Sequence, residues 1–119
     1  MKAENPVRDK SYLFALRIID TYRQLTEQRR EFILSKQLLR SGTSIGANVE
    51  EALGGHSPKD FRSKMSIAYK EALESDYWIR LLRDSHYLTV EQSDDLLCML
   101  SELLKILGKI QQTMKAKVL

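Results

Sequence analysis

The chain has 119 residues, of which 43% are hydrophobic and 29% are charged. This length and composition predict one soluble domain, residues 1–119, that can bury a single core of its own. Five glycines and two prolines are too few for a sheet rich in turns, so long helices are expected.

Two features of the sequence concern membranes and targeting. No apolar run approaches the roughly 20 residues of a membrane span. The first ten residues, MKAENPVRDK, lack the charged-then-apolar order of a signal peptide. We therefore expect a cytoplasmic protein with no membrane partner.

The chain is mildly basic, with a net charge of +3 at pH 7. The excess lies in residues 1–30, which contain seven lysines and arginines against four acids. Such an asymmetry favours an acidic partner such as RNA. An ordinary solvated surface rich in Lys and Arg has the same composition, so both interpretations stand.

The first two predicted helices are marked by the residues at their ends. Asn5 followed by Pro6 is typical of an N-cap and a first helical position, so helix one is expected over about residues 6–28. Helix two is expected over about residues 31–53. It stops at Gly54-Gly55, a pair that suits a left-handed C-terminal cap.

Helix three has a clear start and is expected to continue to about Ser85. Ser57 suits the N-cap, Pro58 the first helical position and Asp60 the third, an arrangement close to a capping box.

Helix four is predicted to begin at Thr89, with Gln92 completing a second capping box, and to run to about Lys115. Its acidic residues come early and its basic residues late, as the helix dipole prefers. No strand signal remains. The sequence therefore predicts an all-α protein, an up-down-up-down antiparallel four-helix bundle.

Helices three and four carry apolar residues at alternating spacings of four and three, typical of a buried helix face. On helix three this stripe is Phe61, Met65, Ala68, Ala72, Ser75, Ile79 and Leu82. On helix four it is Leu97, Leu100, Leu104, Leu107 and Met114. The single cysteine, Cys98, is interpreted as a small buried hydrophobe rather than a redox or nucleophilic group.

Several helices carry more apolar surface than one bundle needs. Helix three has a second line at Leu73, Tyr77 and Leu81, with Ile67 and Trp78 between the two. Helix four has one at Leu96, Met99, Leu103, Ile106 and Ile110. On helix one, Tyr12, Leu16 and Ile19 lie beside Phe14, Ile18 and Leu25. Because monomers rarely expose such wide apolar faces, we expect a homo-oligomer, the alternative being a monomer with a broad core.

A line of polar residues follows helix two, about 80° around the helix from its apolar stripe. Its members are Gln37, Ser41, Ser44, Asn48 and Glu51. Polar groups this close to a core must be hydrogen-bonded, so the line predicts a polar seam that fixes how helices pack. Lys64, Glu71 and Trp78 on helix three are candidates to face it, and Arg40 to Glu51 is a possible electrostatic span.

The seam is a poor match to a catalytic site. Serine nucleophiles need an adjacent base, and no His or Lys follows the same line. Di-metal bundles use paired Glu-x-x-His motifs, whereas Glu71 is followed by Glu74 at that spacing. Gly42 and Gly46 match no phosphate-binding loop and instead predict close helix packing. We therefore expect no enzyme activity, no metal and no cofactor.

Basic residues on two helices are candidates for contacts with nucleic acid. They are Lys10 and Arg17 on helix one, and Lys59, Arg62, Lys70 and Arg80 on helix three, interleaved with Tyr69 and Tyr77. Cations with aromatic rings nearby suit phosphate contact and base stacking.

The segments SKQLLRSGTSIGANVEEA and KDFRSKMSIAYKEALESDYWIRLLRDS closely resemble the four-helix-bundle family of 23S rRNA intervening-sequence proteins. The resemblance extends from FALRIID in helix one to LLKIL in helix four. Family members commonly read Asn-Ile-Ala-Glu-Gly at the end of helix two, where this chain has Asn48-Val49-Glu50-Glu51-Ala52 and a displaced pair, Gly54-Gly55.

This resemblance implies a bundle that assembles into a homopentameric ring, with no enzyme activity. Relatives include accessory proteins of diversity-generating retroelements, which bind RNA and a reverse transcriptase. The leading hypothesis is therefore a pentameric scaffold that binds structured RNA through a basic surface. The alternative is a protein-interaction module with no nucleic-acid role, which binds a protein partner through a patch such as Leu73, Tyr77 and Leu81.

Overall fold

A computed structural model describes residues 4–118, which form four α-helices and, within that range, no strand. The helices are α1 (Pro6–Glu27), α2 (Leu34–Leu53), α3 (Pro58–Asp84) and α4 (Val90–Val118). Helices consecutive in the chain pack side by side, and α4 returns to contact α1. The diagonal pairs α1–α3 and α2–α4 have no Cα atoms within 8 Å of each other in the described residues. The expected all-α, up-down-up-down four-helix bundle is confirmed.

The predicted N-terminal caps of three helices are confirmed. The Asn5 side chain accepts a hydrogen bond from the Arg8 amide at 3.1 Å, and Ser57 accepts one from the Asp60 amide at 3.0 Å. Before α4, Thr89 Oγ1 accepts from the amide of Gln92 at 3.0 Å, and Gln92 Oε1 accepts from the amide of Thr89 at 2.9 Å. These bonds satisfy backbone donors that a helix start leaves unpaired.

Helix α2 begins at Leu34 rather than near Glu31, because Glu31 acts as its cap. The Glu31 carboxylate accepts hydrogen bonds from the amides of Ile33, Leu34 and Ser35 at 3.2, 3.0 and 2.6 Å. The Ser35 hydroxyl donates back to the Glu31 carbonyl oxygen at 2.7 Å. Burial alone would raise the pKa of Glu31, but these hydrogen bonds outweigh it and lower the pKa.

The prediction of a left-handed glycine cap after α2 was wrong. Gly54 has φ −92°, and no described glycine has a positive φ. The helix ends instead in a right-handed turn in which the Gly55 amide donates to the Ala52 carbonyl oxygen at 3.2 Å. A Cβ on Gly55 would meet the carboxylate end of the Asp60 side chain, which can rotate away, and would lie 3.2 Å from the Ala52 carbonyl oxygen.

The core follows the predicted stripe on α3 and departs from it on α4. All members of the α3 stripe are buried except Phe61, which is half-buried. On α4 the buried residues are Ser93, Leu96, Leu100, Leu103 and Leu107. Leu97 and Leu104 are half-buried because they lie on the flank of α4 that Gly108 presents to Tyr69 of α3.

Cys98 is exposed, which contradicts its interpretation as a buried hydrophobe. It lies two positions from both Leu96 and Leu100, which places it on the solvent side of α4.

The two glycines within α2 bring that helix close to α1, as their four-residue spacing predicts. A Cβ placed on Gly42 would lie 2.8 Å from Cγ1 of Ile18, a side chain with no exposed surface. A Cβ on Gly46 would lie 3.4 Å from the carbonyl oxygen of Ser11, an ordinary contact. Gly42 is therefore the point where α1 and α2 leave no room for a side chain.

Candidate functional site

The interface between α2 and α3 contains a network of charged and aromatic side chains. The Arg40 guanidinium lies 3.3 and 3.4 Å from the two carboxylate oxygens of Glu71 and also binds Glu74. Trp78 Nε1 donates to Glu74 Oε2 at 3.0 Å. The network joins Arg40, Glu71 and Trp78, three residues of the predicted seam, through Glu74.

A pair of serines continues the interface into the core. Ser41 and Ser75 have no exposed surface, and their hydroxyl oxygens lie 2.9 Å apart. Ser75 Oγ also lies 2.9 Å from the Glu71 carbonyl oxygen. Ser41 can therefore donate to Ser75 while Ser75 donates to that carbonyl, so that both buried hydroxyls are satisfied.

The other predicted seam residues have different surroundings. Lys64 and Glu51 form an ion pair of 2.9 Å between α3 and α2. Ser44 and Asn48 bond to carbonyl oxygens one turn back on their own helix, those of Arg40 at 2.6 Å and Ser44 at 2.8 Å. Gln37 is exposed. That the seam fixes helix packing stays a prediction. Arg40, Ser41 and Glu51 are the α2 residues of the predicted seam that bond to side chains of α3 within the described residues.

Glu74 and Ser75 are the members of this network that the sequence reasoning did not place in the seam. Glu74 stands four residues before Trp78, a spacing that brings side chains together on a helix, and three after Glu71. These two spacings are the sequence feature from which the contact between Glu74 and Trp78 could have been predicted.

Each of the shifted pKa values lies further from 7 than the ordinary pKa of its group. The pKa is lowered for Glu31, Glu74, Asp84 and Glu102, and raised for Arg40, Lys64 and Arg83. For Glu74 the main cause is the hydrogen bond from Trp78, aided by Arg40 and opposed by burial. General acid–base catalysis favours a pKa near the working pH, so these groups suit fixed charges in ion pairs.

The predicted RNA-binding cations fall into two groups on opposite sides of the bundle. Lys10 and Arg17 lie on α1, where they form ion pairs with Glu102 and Asp95 of α4. The second group, on α3, is Lys59, Arg62, Lys70 and Arg80. Since α1 and α3 lie diagonally across the described bundle and the α1 cations pair with α4, the six cations do not form one patch.

The cations of the α3 group differ in whether they already form an ion pair. Arg80 pairs with Asp76 at 2.9 Å, one turn back, and its guanidinium carbon lies 5.9 Å from the centroid of the Tyr77 ring. Across residues 4–116, neither Lys59, Arg62 nor Lys70 forms an ion pair. These three are the cations of the predicted set that are free to meet a phosphate.

Two further properties of the described residues concern metals and membranes. No group of three or more His, Cys, Asp or Glu side chains there has the geometry of a metal site. None of the four helices combines the length and apolar character that crossing a membrane requires, as far as residues 4–118 show.

Comparison with known proteins gives a consistent result. The family model described as 23S rRNA-intervening sequence protein matches residues 3–109. A crystal structure of a protein of unknown function from the S23 ribosomal protein family of Bacteroides thetaiotaomicron is 46% identical, with a TM-score of 0.89. The match covers 91% of this chain and 96% of that one. No curated protein matches. This chain belongs to the family of 23S rRNA-intervening sequence proteins.

Proposed function

We propose that this protein is a cytoplasmic, non-enzymatic homo-oligomer, a pentamer, that binds structured RNA through a basic surface. The observation that carries the proposal is a pair of exposed apolar faces on opposite corners of the bundle. The α1 face consists of Tyr12, Leu13 and Leu16, which are 63%, 56% and 45% exposed. The α3 face consists of Leu73 and Tyr77, which are each 48% exposed.

Each face is flanked by charges of both signs. Asp9 and Asp20 beside the α1 face pair with Arg8 and Arg23 of the same helix, and Arg80 beside the α3 face pairs with Asp76. The two faces lie on different helices, and we propose that the α1 face of one copy packs on the α3 face of the next. A contact between two different faces is head-to-tail and generates a ring when the rotation closes. The number five comes from the family resemblance.

Charged substitutions in the two faces test the assembly. We expect the wild-type protein to have about five times the chain mass of 13.8 kDa by light scattering at micromolar concentration. Leu16→Glu in the α1 face or Leu73→Glu in the α3 face is expected to yield monomers, because each buries a charge at the contact. Val90→Glu, at another site that is 64% exposed, is the matched control and should leave the mass unchanged.

Mixing the two variants distinguishes a head-to-tail contact from a symmetric one. Each variant keeps one intact face, so an equimolar mixture of Leu16→Glu and Leu73→Glu is expected to form one-to-one dimers. A mixture that stays monomeric, or a wild-type protein that is itself a monomer, would overturn the proposed assembly.

The RNA part of the proposal is supported by the first turns of α3. Lys59 and Arg62 form no ion pair within residues 4–116. They precede Leu73 by 14 and 11 residues, or about 20 Å along the helix, so the proposed contact between copies leaves them open. A ring repeats this pair in every copy and concentrates positive charge around one rim.

We expect the oligomer to bind structured RNA with an affinity that falls steeply with salt, because phosphate contacts release counterions. The double variant Lys59→Glu with Arg62→Glu is expected to weaken binding about tenfold at about 50 mM salt and to reduce the salt slope. Lys105→Glu changes the charge on an exposed part of α4 and serves as the control. An intact oligomer without salt-sensitive RNA binding would contradict the proposal.

One observation favours the alternative, a protein-interaction module. Leu73 and Tyr77 are each 48% exposed and stand among cations, a mixture typical of protein interfaces. A protein partner on this patch would be recovered in stoichiometric amount from nuclease-treated lysate and lost with Leu73→Glu. That result, together with no RNA binding, would replace the RNA scaffold by the interaction module.

A further inference from the structure

Two loops at one end of the bundle are joined into a single surface. They are residues 28–33, between α1 and α2, and residues 85–89, between α3 and α4. Arg29 Nη1 donates to the carbonyl oxygen of Tyr87 at 3.0 Å. The guanidinium carbon of Arg29 also lies 5.2 Å from the centroid of the Tyr87 ring. Arg29 thus holds the two loops together, and we call their joint surface the loop end.

The loop end exposes an aromatic ring beside a second arginine. Phe32 is 53% exposed, and the guanidinium carbon of Arg30 lies 5.7 Å from the centroid of its ring. Arg29, Arg83 and His86 line an open pocket of about 450 Å³ in the same surface. Bases of unpaired RNA stack on exposed aromatic rings and guanidinium planes, while cations beside them contact the phosphates.

The acidic side chains of the loop end are already engaged. Glu31 is 8% exposed as a residue, and its carboxylate caps α2 through three backbone amides. Asp84 pairs with Arg83 at 2.8 Å. Across residues 4–116, Arg29 and Arg30 form no ion pair with a carboxylate. Two guanidinium charges are therefore left for an anionic ligand.

The backbone of each loop is strained at one residue. Arg30 has φ 53° and His86 has φ 67°, and they are the non-glycine residues of the described chain with a positive φ. Glycine adopts this conformation without penalty, and it is the usual residue at the helix end that His86 occupies. Strained side-chain-bearing residues concentrate at functional sites. Here both of them carry basic side chains in the same surface.

We propose that the loop end binds unpaired nucleotides of RNA, with a base stacked on Phe32 and the adjoining phosphates held by Arg29 and Arg30. This inference rests on the proposed RNA-binding function and names a site for it outside α3. The carboxylates of an acidic peptide would use the two arginines, but they do not require an exposed aromatic ring beside them. The arrangement of Phe32 beside Arg30 is the observation that favours RNA.

The test uses the intact oligomer and two probes, a single-stranded oligouridylate of about ten nucleotides and a blunt RNA duplex, followed by fluorescence anisotropy. Phe32→Leu is expected to weaken oligouridylate binding about fivefold or more, because it removes the stacking ring but keeps apolar bulk. Duplex binding should change less than about twofold, since phosphates dominate there. Phe32→Trp should restore oligouridylate binding.

The arginine variant and its control complete the design. Arg30→Gln replaces the guanidinium by a shorter, uncharged amide and keeps a side-chain-bearing residue at the positive φ of position 30. It is expected to weaken oligouridylate binding by a similar factor of about five. Lys105→Gln removes one charge from an exposed part of α4 and should leave it unchanged within about twofold.

Each contrary outcome has a distinct meaning. Unchanged oligouridylate binding by both loop-end variants, with wild-type RNA binding intact, overturns this inference alone. A wild-type oligomer that binds neither probe overturns the inference and the proposed function together. A change of mass in light scattering for Phe32→Leu would show that the loop end is a contact between copies. Competition by a polyglutamate peptide, but not by RNA, would assign the surface to an acidic protein instead.

Discussion

Replacement of Glu31 by alanine is expected to lower the free energy of unfolding by about 2 kcal/mol. Glu31 is buried, with 8% of its surface exposed, and its carboxylate accepts hydrogen bonds from the amides of Ile33, Leu34 and Ser35. Its removal leaves these donors without their side-chain partner at a helix start, where none of them has an intrahelical acceptor. Urea denaturation at pH 7, followed by circular dichroism, measures the difference.

The pH dependence of this difference provides a check. The pKa of Glu31 is lower in the folded protein, so its charge stabilises the fold fully above the unfolded value of about 4.3. The contribution is lost as the pH falls through the depressed folded pKa, and the gap between wild type and Glu31→Ala should then narrow. Glu31→Gln keeps an acceptor without the charge and should fall between them. Equal stability of wild type and Glu31→Ala at pH 7 would contradict the capping role.

Gly42→Val is expected to destabilise the bundle by about 3 kcal/mol, the largest effect of any single change we predict. A Cβ at this position would lie 2.8 Å from Ile18 Cγ1 and 3.0 Å from its Cγ2. Ile18 has no exposed surface, so it cannot yield toward solvent. The α1 and α2 helices would have to separate, which opens the packing of the core on both sides. Thermal and urea unfolding both report the loss.

Gly46→Ala is the matched control for this prediction. It is one turn away on the same helix and faces the same neighbour, but its added Cβ would lie 3.4 Å from the Ser11 carbonyl oxygen. Alanine gains about 1 kcal/mol of helix propensity over glycine, so this variant should be neutral or stabilising. Destabilisation of similar size at positions 42 and 46 would mean that helix approach is not what excludes a side chain at Gly42.

The parts of the fold that could be predicted from sequence are those set by neighbouring residues. The Asn5 and Ser57 caps and the Thr89–Gln92 capping box depend on side chains within three positions of the donors they satisfy. The buried face of α3 could be predicted from the regular four-three spacing of its apolar residues. Of the two apolar lines on this helix, only that one is not interrupted by long polar residues.

The wrong predictions concern residues whose environment depends on the packing of a neighbouring helix as well as on their own. On α4, apolar side chains stand at both Leu96 and Leu97 and at both Leu103 and Leu104. The packing angle between α4 and its two neighbouring helices decides which leucine of each pair is fully buried. The spacing of apolar residues in the sequence does not predict that angle. Similarly, Gly54 was expected to supply a left-handed cap, but it has φ −92° and the chain enters α3 through a right-handed turn.

The location of the candidate site could be predicted from the sequence, but the side chains that its residues contact could not. Arg40, Ser41, Glu71 and Trp78 were identified as polar residues beside a core face, a property of each helix taken alone. That Arg40 meets Glu74 as well as Glu71 depends on the relative height of α2 and α3. The loop end was missed altogether, because its residues are brought together from sequence positions more than 50 apart, as Arg29 and Tyr87 show.

The contact between α1 and α4 is the sparsest of the four helix interfaces, and its exposed edge is bridged by Lys10–Glu102 and Arg17–Asp95. The other three interfaces join helices that are adjacent in the chain, so most of the structure can assemble as local hairpins with little loop-closure entropy. The α1–α4 edge instead joins the first and last helices of the chain, and its ion pairs are weakened by salt. It is the edge we expect to close last during folding and to open first in native-state hydrogen exchange.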